Sequence, residues 1–94
     1  MQFALVALDR PDAVALRLQH RPAHLQFLEE LGTALVLAGP FLNDRGEGVG
    51  SIVVIEAESL AAARALLARD PYAQADLFDQ VTLKPWRLSV NKTR

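Results

Sequence analysis

Few side chains in this sequence could bind or transform a small molecule, and the first to weigh are two histidines. His20 and His24 stand four apart, a spacing that suits a metal ion when both lie on one helix face. Pro22 lies between them and argues against one regular turn. No cysteine or third histidine exists to complete a ligand set, so no metal is expected. His24 alone carries more. It precedes Leu25 by one and Leu28 by four, at the border of an apolar helical stripe, where it is either an ordinary boundary residue or a base. Asp70, just before Pro71, is either a turn residue or the partner of that base. A carboxylate bonded to one ring nitrogen fixes the tautomer and raises the basicity of the other, which makes a general base. Ser51 could add a hydroxyl. Spacing alone leaves open whether these three touch. Gly46-Glu47-Gly48-Val49-Gly50 resembles a phosphate loop only superficially, because its glycines precede a strand rather than a helix N-terminus. It reads as a mobile hairpin loop, able to act as a flap over a pocket.

The elements that must position these residues follow from hydrophobic patterning. Phe3 to Leu8 is a continuous apolar run, as in a strand covered on both faces. Asp9-Arg10-Pro11-Asp12 breaks it, and Asp12 is the expected N-cap of a helix running through Leu16 and Leu18. Pro22 then either kinks that helix or starts a new one at its first position. Leu25, Leu28 and Leu31 continue at helical spacing until Gly32 stops it. Thr33 to Ala38 reads as a buried strand ended by Gly39-Pro40, Asn43 to Gly50 as a hairpin loop, and Ser51 to Ala57 as a third strand. Ser59 caps a second helix with the face Leu60, Ala63, Leu66 and Leu67. Asp70-Pro71 ends that helix. A turn from Tyr72 leads to a last strand, about Phe78 to Leu88, in which Pro85 marks an edge or a bulge.

The order is β-α-β-β-α-β, the ferredoxin-like α+β pattern: a four-stranded antiparallel sheet with both helices on one face. Strands one to three are nevertheless apolar on both faces. A homodimer formed through the open sheet face is therefore expected, because soluble monomers rarely leave a large apolar patch in water.

Composition removes several classes of function. With 94 residues there is room for one domain, spanning 1–94, and 51% hydrophobic residues supply its core. Zero cysteines exclude disulfides, thiolate metal sites and a cysteine nucleophile. Ten basic against eleven acidic residues argue against nucleic acid as a partner, and the only local surplus, Lys84, Arg87, Lys92 and Arg94, reads as a solvated tail. No apolar run approaches the roughly 18–20 residues that span a bilayer, and no signal peptide is evident, so a cytoplasmic protein with no membrane partner is expected.

The ordered set Arg21-Pro22-Ala23-His24-Leu25, Ala38-Gly39-Pro40, Gly50-Ser51, Glu58-Ser59-Leu60-Ala61-Ala62-Ala63, Asp70-Pro71-Tyr72 and Val81 through Lys84-Pro85-Trp86 resembles the YCII-related (YciI-like) domain family across nearly the whole chain. The resemblance implies a ferredoxin-like subunit pairing into a dimeric α/β barrel. It also implies a pocket around a catalytic His24 and Asp70, with Arg21, Ser51, Gly39, Pro40 and Tyr72 binding substrate. No cofactor is implied. One branch of the family resembles a dehydrochlorinase of a chlorinated hydroxyhydroquinone. The expected activity is proton transfer on a small ring or phenolic substrate, as in a lyase, dehydrochlorinase or isomerase. The competing reading is a non-catalytic small-molecule binding or accessory domain that uses the same pocket.

Overall fold

The computed structural model describes residues 1–93; Arg94, last of the four basic tail residues, lies outside them. Eight elements follow one another: β1 (Gln2–Asp9), α1 (Val14–Glu30), a 3₁₀ turn (Gly32–Ala34), β2 (Leu35–Leu42), β3 (Gly48–Glu56), α2 (Leu60–Leu67), a short α3 (Pro71–Gln74) and β4 (Phe78–Trp86). The sheet order is β2-β3-β1-β4 with every pair antiparallel, which is the ferredoxin-like α+β fold.

Register divides the sheet into two faces. Residues directly opposite one another share a face. One face therefore carries the rows Leu35–Ile55–Phe3, Ala38–Val53–Leu5–Leu83 and Pro40–Ser51–Ala7–Val81. Phe3, Leu5, Ala7, Val53 and Ile55 are buried there with Ala63 and Leu67 of α2, and this cluster is the core. The other face carries Leu37, Val54 and Ala4, then Ile52 and Val6, then Phe41 and Leu8. No described helix covers it, and Val6, Leu8 and Leu37 are exposed, although Val54 between them is buried.

Several local expectations are corrected. Asp12 does not cap α1: it adopts a left-handed φ of 57°, and Ala13 occupies the cap position without a side-chain bond. Pro22 neither breaks nor restarts the helix, since α1 runs unbroken through it and His20 and His24 share one helix. Pro22 and Leu18 are exposed, so water can reach the Leu18 carbonyl that the proline leaves without a donor. Leu25 is 45% exposed, and the buried positions of α1 are Arg17, His24 and Phe27. Gly39-Pro40 does not end β2 but lies inside it, which an edge strand tolerates because its outer amides have no partner to lose. That edge position also leaves β2 half-exposed where a buried strand was expected. The hairpin loop is shorter than its composition suggested, because β3 begins at Gly48 and already includes Gly50.

Other expectations hold. Gly32 takes φ 57° just past α1, as a C′ glycine does. The Ser59 side chain accepts the Ala62 amide at 3.1 Å and caps α2. Pro85 lies in the other edge strand, β4.

Gly50 is where backbones approach most closely. A Cβ there would stand 2.6 Å from the Ala7 carbonyl oxygen and 2.9 Å from Phe41 Cδ2. Backbone cannot yield as a side-chain tip can. Gly50→Ala is expected to destabilise the fold by about 1–3 kcal/mol, the usual range for overpacking. Denaturant unfolding measures this, and an unchanged midpoint would contradict the packing described here.

Candidate functional site

The site is assembled on the helix-covered face, where α1 packs on β3 and α3 packs on α1. Helical spacing puts Arg17, Arg21 and His24 on neighbouring positions of α1. Pro71 occupies the first turn of α3, where its missing N–H costs nothing, and Asp70 is the N-cap. The Asp70 Oδ1 atom accepts the Tyr72 amide at 2.9 Å.

That same carboxylate holds His24. Its Nδ1 stands 2.9 and 3.0 Å from the two Asp70 oxygens, although the residues are 46 positions apart. A carboxylate can only accept here, so the ring proton belongs on Nδ1 and the lone pair on Nε2. Nε2 has no hydrogen-bond partner among the described residues, yet it is not sealed from open space. The Tyr72 ring stacks on the imidazole at 3.9 Å and 13° between planes. Asp70 therefore fixes the tautomer of His24, and Tyr72 fixes its plane.

An ion pair lies two helical turns away. Arg17 Nε donates to Asp9 Oδ2 at 2.6 Å, and Nη2 donates to Asp9 Oδ1 and to Ser51 Oγ, both at 2.9 Å. The Arg17 guanidinium carbon lies 4.5 Å from the Tyr72 ring centre. Arg17 and His24 are about 10 Å apart along the helix, enough for the ring to fit between them. Burial works against the charge on Arg17, but the hydrogen bond it donates to Asp9 and the negative charge of that carboxylate outweigh it, so the guanidinium holds its proton more tightly than usual. Gly48 makes room for this arrangement, because a Cβ there would meet Arg17 Cδ at 2.9 Å.

A cavity of about 240 Å³ opens beside these groups, and Arg21, His24, Gly39, Pro40, Ser51 and Tyr72 all line it. The structure thus brings every residue expected to bind substrate to one cavity with His24, while Asp70 stands behind the imidazole. Ser51 makes no hydrogen bond to His24 or Asp70; it joins the site through Arg17. Asp9 and Arg17 were not anticipated. The signal was present in Val14, Arg17, Arg21, His24 and Leu28, a helical stripe spaced by threes and fours that mixes charge with apolar residues. Charged side chains in such a stripe are either misplaced or paired. No group of three or more His, Asp or Glu residues gathers among the described residues in a way that could hold a metal ion. No described helix is long and apolar enough to cross a membrane.

Comparison with known proteins identifies the family and the fold. Residues 1–87 match the family model of the YCII-related domain. Protein YciI of Escherichia coli O6:H1 is 40% identical over 96 aligned positions, covering 93% of this chain and 97% of its own. Among solved structures, the 5-chloro-2-hydroxyhydroquinone dehydrochlorinase of Burkholderia phenoliruptrix AC1100, in complex with 2,5-dihydroxybenzoquinone, superposes with a TM-score of 0.85. It is 30% identical, with 93% of this chain and 94% of that chain covered. A conserved protein of Methanosarcina mazei Go1 shares the fold at a TM-score of 0.60 and 11% identity, over 93% of this chain and 94% of its own.

Tyr72 is the only tyrosine, so its ionisation reports on the site directly. Burial pushes its phenol above the ordinary range, against the opposing charges of Arg17 and Arg21. The folded phenol should therefore ionise above about pH 10. A raised folded value means that this contribution to stability is complete below the unfolded value and is lost as pH climbs through the folded one. Phenolate absorbance against pH checks the shift, and Arg17→Met, which removes a charge favouring the phenolate, should move the transition higher still.

Proposed function

We propose that this chain, which belongs to the YCII-related domain family, is a cofactor-free enzyme that moves a proton on a small ring or phenolic substrate. The observation that carries the reading is the imidazole itself: Nδ1 is committed to a buried carboxylate, while Nε2 remains available on a residue that lines a 240 Å³ cavity. That volume lies just below the ~300–1,000 Å³ common for small-molecule sites, and so favours a single ring.

His24 is the base and Asp70 the group that orients it. Nε2 removes a proton from a ring hydroxyl or an acidic ring carbon, and Asp70 stabilises the imidazolium that forms. Where the leaving group sits on a saturated ring carbon, as in the keto tautomer of a chlorinated phenol, the electron pair released into the ring expels it as chloride, a dehydrochlorination; otherwise the pair takes up a proton at another ring carbon, an isomerisation. Both outcomes balance without a redox cofactor. The likeness to a dehydrochlorinase at 30% identity supports the elimination. Arg21 is exposed on the cavity rim, where it attracts an anionic substrate, and Gly39, Pro40, Ser51 and Tyr72 shape the walls.

The chain acts as a homodimer in the cytoplasm. Support for the pairing comes from the uncovered sheet face, where Val6, Leu8 and Leu37 are exposed beside half-buried Ala4, Phe41 and Ile52. Two such faces packed together form the dimeric α/β barrel. Light scattering should give about twice the 10.3 kDa chain mass, and Leu8→Lys should shift it towards one chain. A mass of one chain for the unaltered protein at micromolar concentration refutes the dimer.

Turnover tests the site. With hydroxylated or chlorinated ring compounds as substrates, His24→Ala should lower kcat by about 10²–10⁴ while affinity stays within a few-fold, because a base acts mainly in the transition state. If no compound of this class turns over, yet one binds and His24→Ala abolishes that binding, the site is a binding pocket and the enzymatic reading fails.

A further inference from the structure

The Arg17 side chain is only half explained by its ion pair. Asp9 takes the side-on edge of the guanidinium, through Nε and one hydrogen of Nη2. The end-on edge, made by Nη1 and the other Nη2 hydrogen, points two parallel N–H groups in one direction. Ser51 Oγ accepts from Nη2 on that edge. Nη1 makes no hydrogen bond of ordinary geometry among the described residues and is not sealed from open space, although the Tyr72 phenol stands near enough to Arg17 to favour its charge. Ser51 is in the matching position: its oxygen is occupied as an acceptor, so its own O–H remains to be donated. Both residues are almost fully buried and both line the cavity that holds His24.

We infer that Arg17 Nη1 and the Ser51 hydroxyl form an oxyanion cradle, and that the substrate is a ring bearing an ionised oxygen, a phenolate or enolate, which rests on it. The inference builds on the proton-transfer reading and names the group that reading leaves unspecified. Asp9 already balances the Arg17 charge, so the cradle offers directed donors in a dry site rather than a bare cation. Directed donors of this kind are what stabilise negative charge as it builds on a ring oxygen. The planar fork matters as much as the charge, so lysine should be a poor substitute.

A pair of ring compounds isolates the oxygen: 4-nitrophenolate, and 4-nitroanisole, in which a methyl ether removes the charge. At mildly alkaline pH the unaltered protein should bind the phenolate about tenfold or more tightly than the ether, as expected of donors to a charged acceptor. Ser51→Ala and Arg17→Lys should each cut that preference several-fold, whereas loss of shape alone would weaken both compounds alike. Circular dichroism checks that the variants are folded, and Ser51→Ala decides alone if Arg17→Lys is not. The cradle is overturned if the unaltered protein binds neither compound or shows no preference. It is equally overturned if the preference survives Ser51→Ala, or falls only in Arg21→Gln, which would put the anion at the rim. Loss of the preference in His24→Gln alone would assign the anion to the imidazole and count against the cradle. Loss of turnover in His24→Ala bears on the base and not on the cradle, so the two readings fail separately.

Discussion

Asp70 receives a donor from each of two helices, the Tyr72 amide of α3 and the His24 ring of α1, and the remainder of the site depends on that shared carboxylate. The same Tyr72 whose backbone it fixes lays its ring on the imidazole that it also fixes. Carboxylate, imidazole and phenol thus close a loop in which each contact limits the other two. Hydrogen bonds to a charged group contribute roughly 1.5–3 kcal/mol each, enough to repay much of the cost of burying the carboxylate. Such overdetermination holds the imidazole in one orientation. A ring free to rotate would spend most of its time misaligned.

The Asp9–Arg17 pair extends this rigidity to the sheet. It ties the end of β1 to α1 through two charge-assisted bonds, reaches β3 through Ser51, and presses on the far side of Tyr72. Removing one member of such a buried pair typically costs about 3–5 kcal/mol, because the other is left charged and unpartnered. Two polar networks therefore share one aromatic ring, and the core around them is satisfied: Gln2 Oε1 is the one buried side-chain polar atom without a partner among the described residues.

Much of the fold was legible because its signals are local. The apolar runs of β1 and β3, the Ser59 cap and Gly32 past α1 all depend on a few neighbouring residues, and they set the order of elements. The site was legible as a set of residue types, with His24 and Asp70 singled out, but their contact spans 46 positions and no local pattern encodes it. Arg17 and Asp9 were invisible for the opposite reason. Read one at a time, a charge on a helix and a charge after a strand both suggest solvent, and only the assembled fold shows them neutralising each other. Pro22 misled because its cost depends on what surrounds the orphaned carbonyl, and here that surrounding is water. Gly39-Pro40 misled because strand position, edge or centre, is a property of the whole sheet.

The two outer strands of the sheet each contain a proline, Pro40 in β2 and Pro85 in β4. An added strand reads an edge through its amide hydrogens, and a proline has none to offer. A misfolded or freshly made neighbour thus meets an interrupted template at either side of the sheet, and the growth of a continuous ribbon of chains is discouraged from both ends. The apolar sheet face is thus flanked by two edges that resist strand addition, so any association across the face is kept separate from open-ended growth along the sheet.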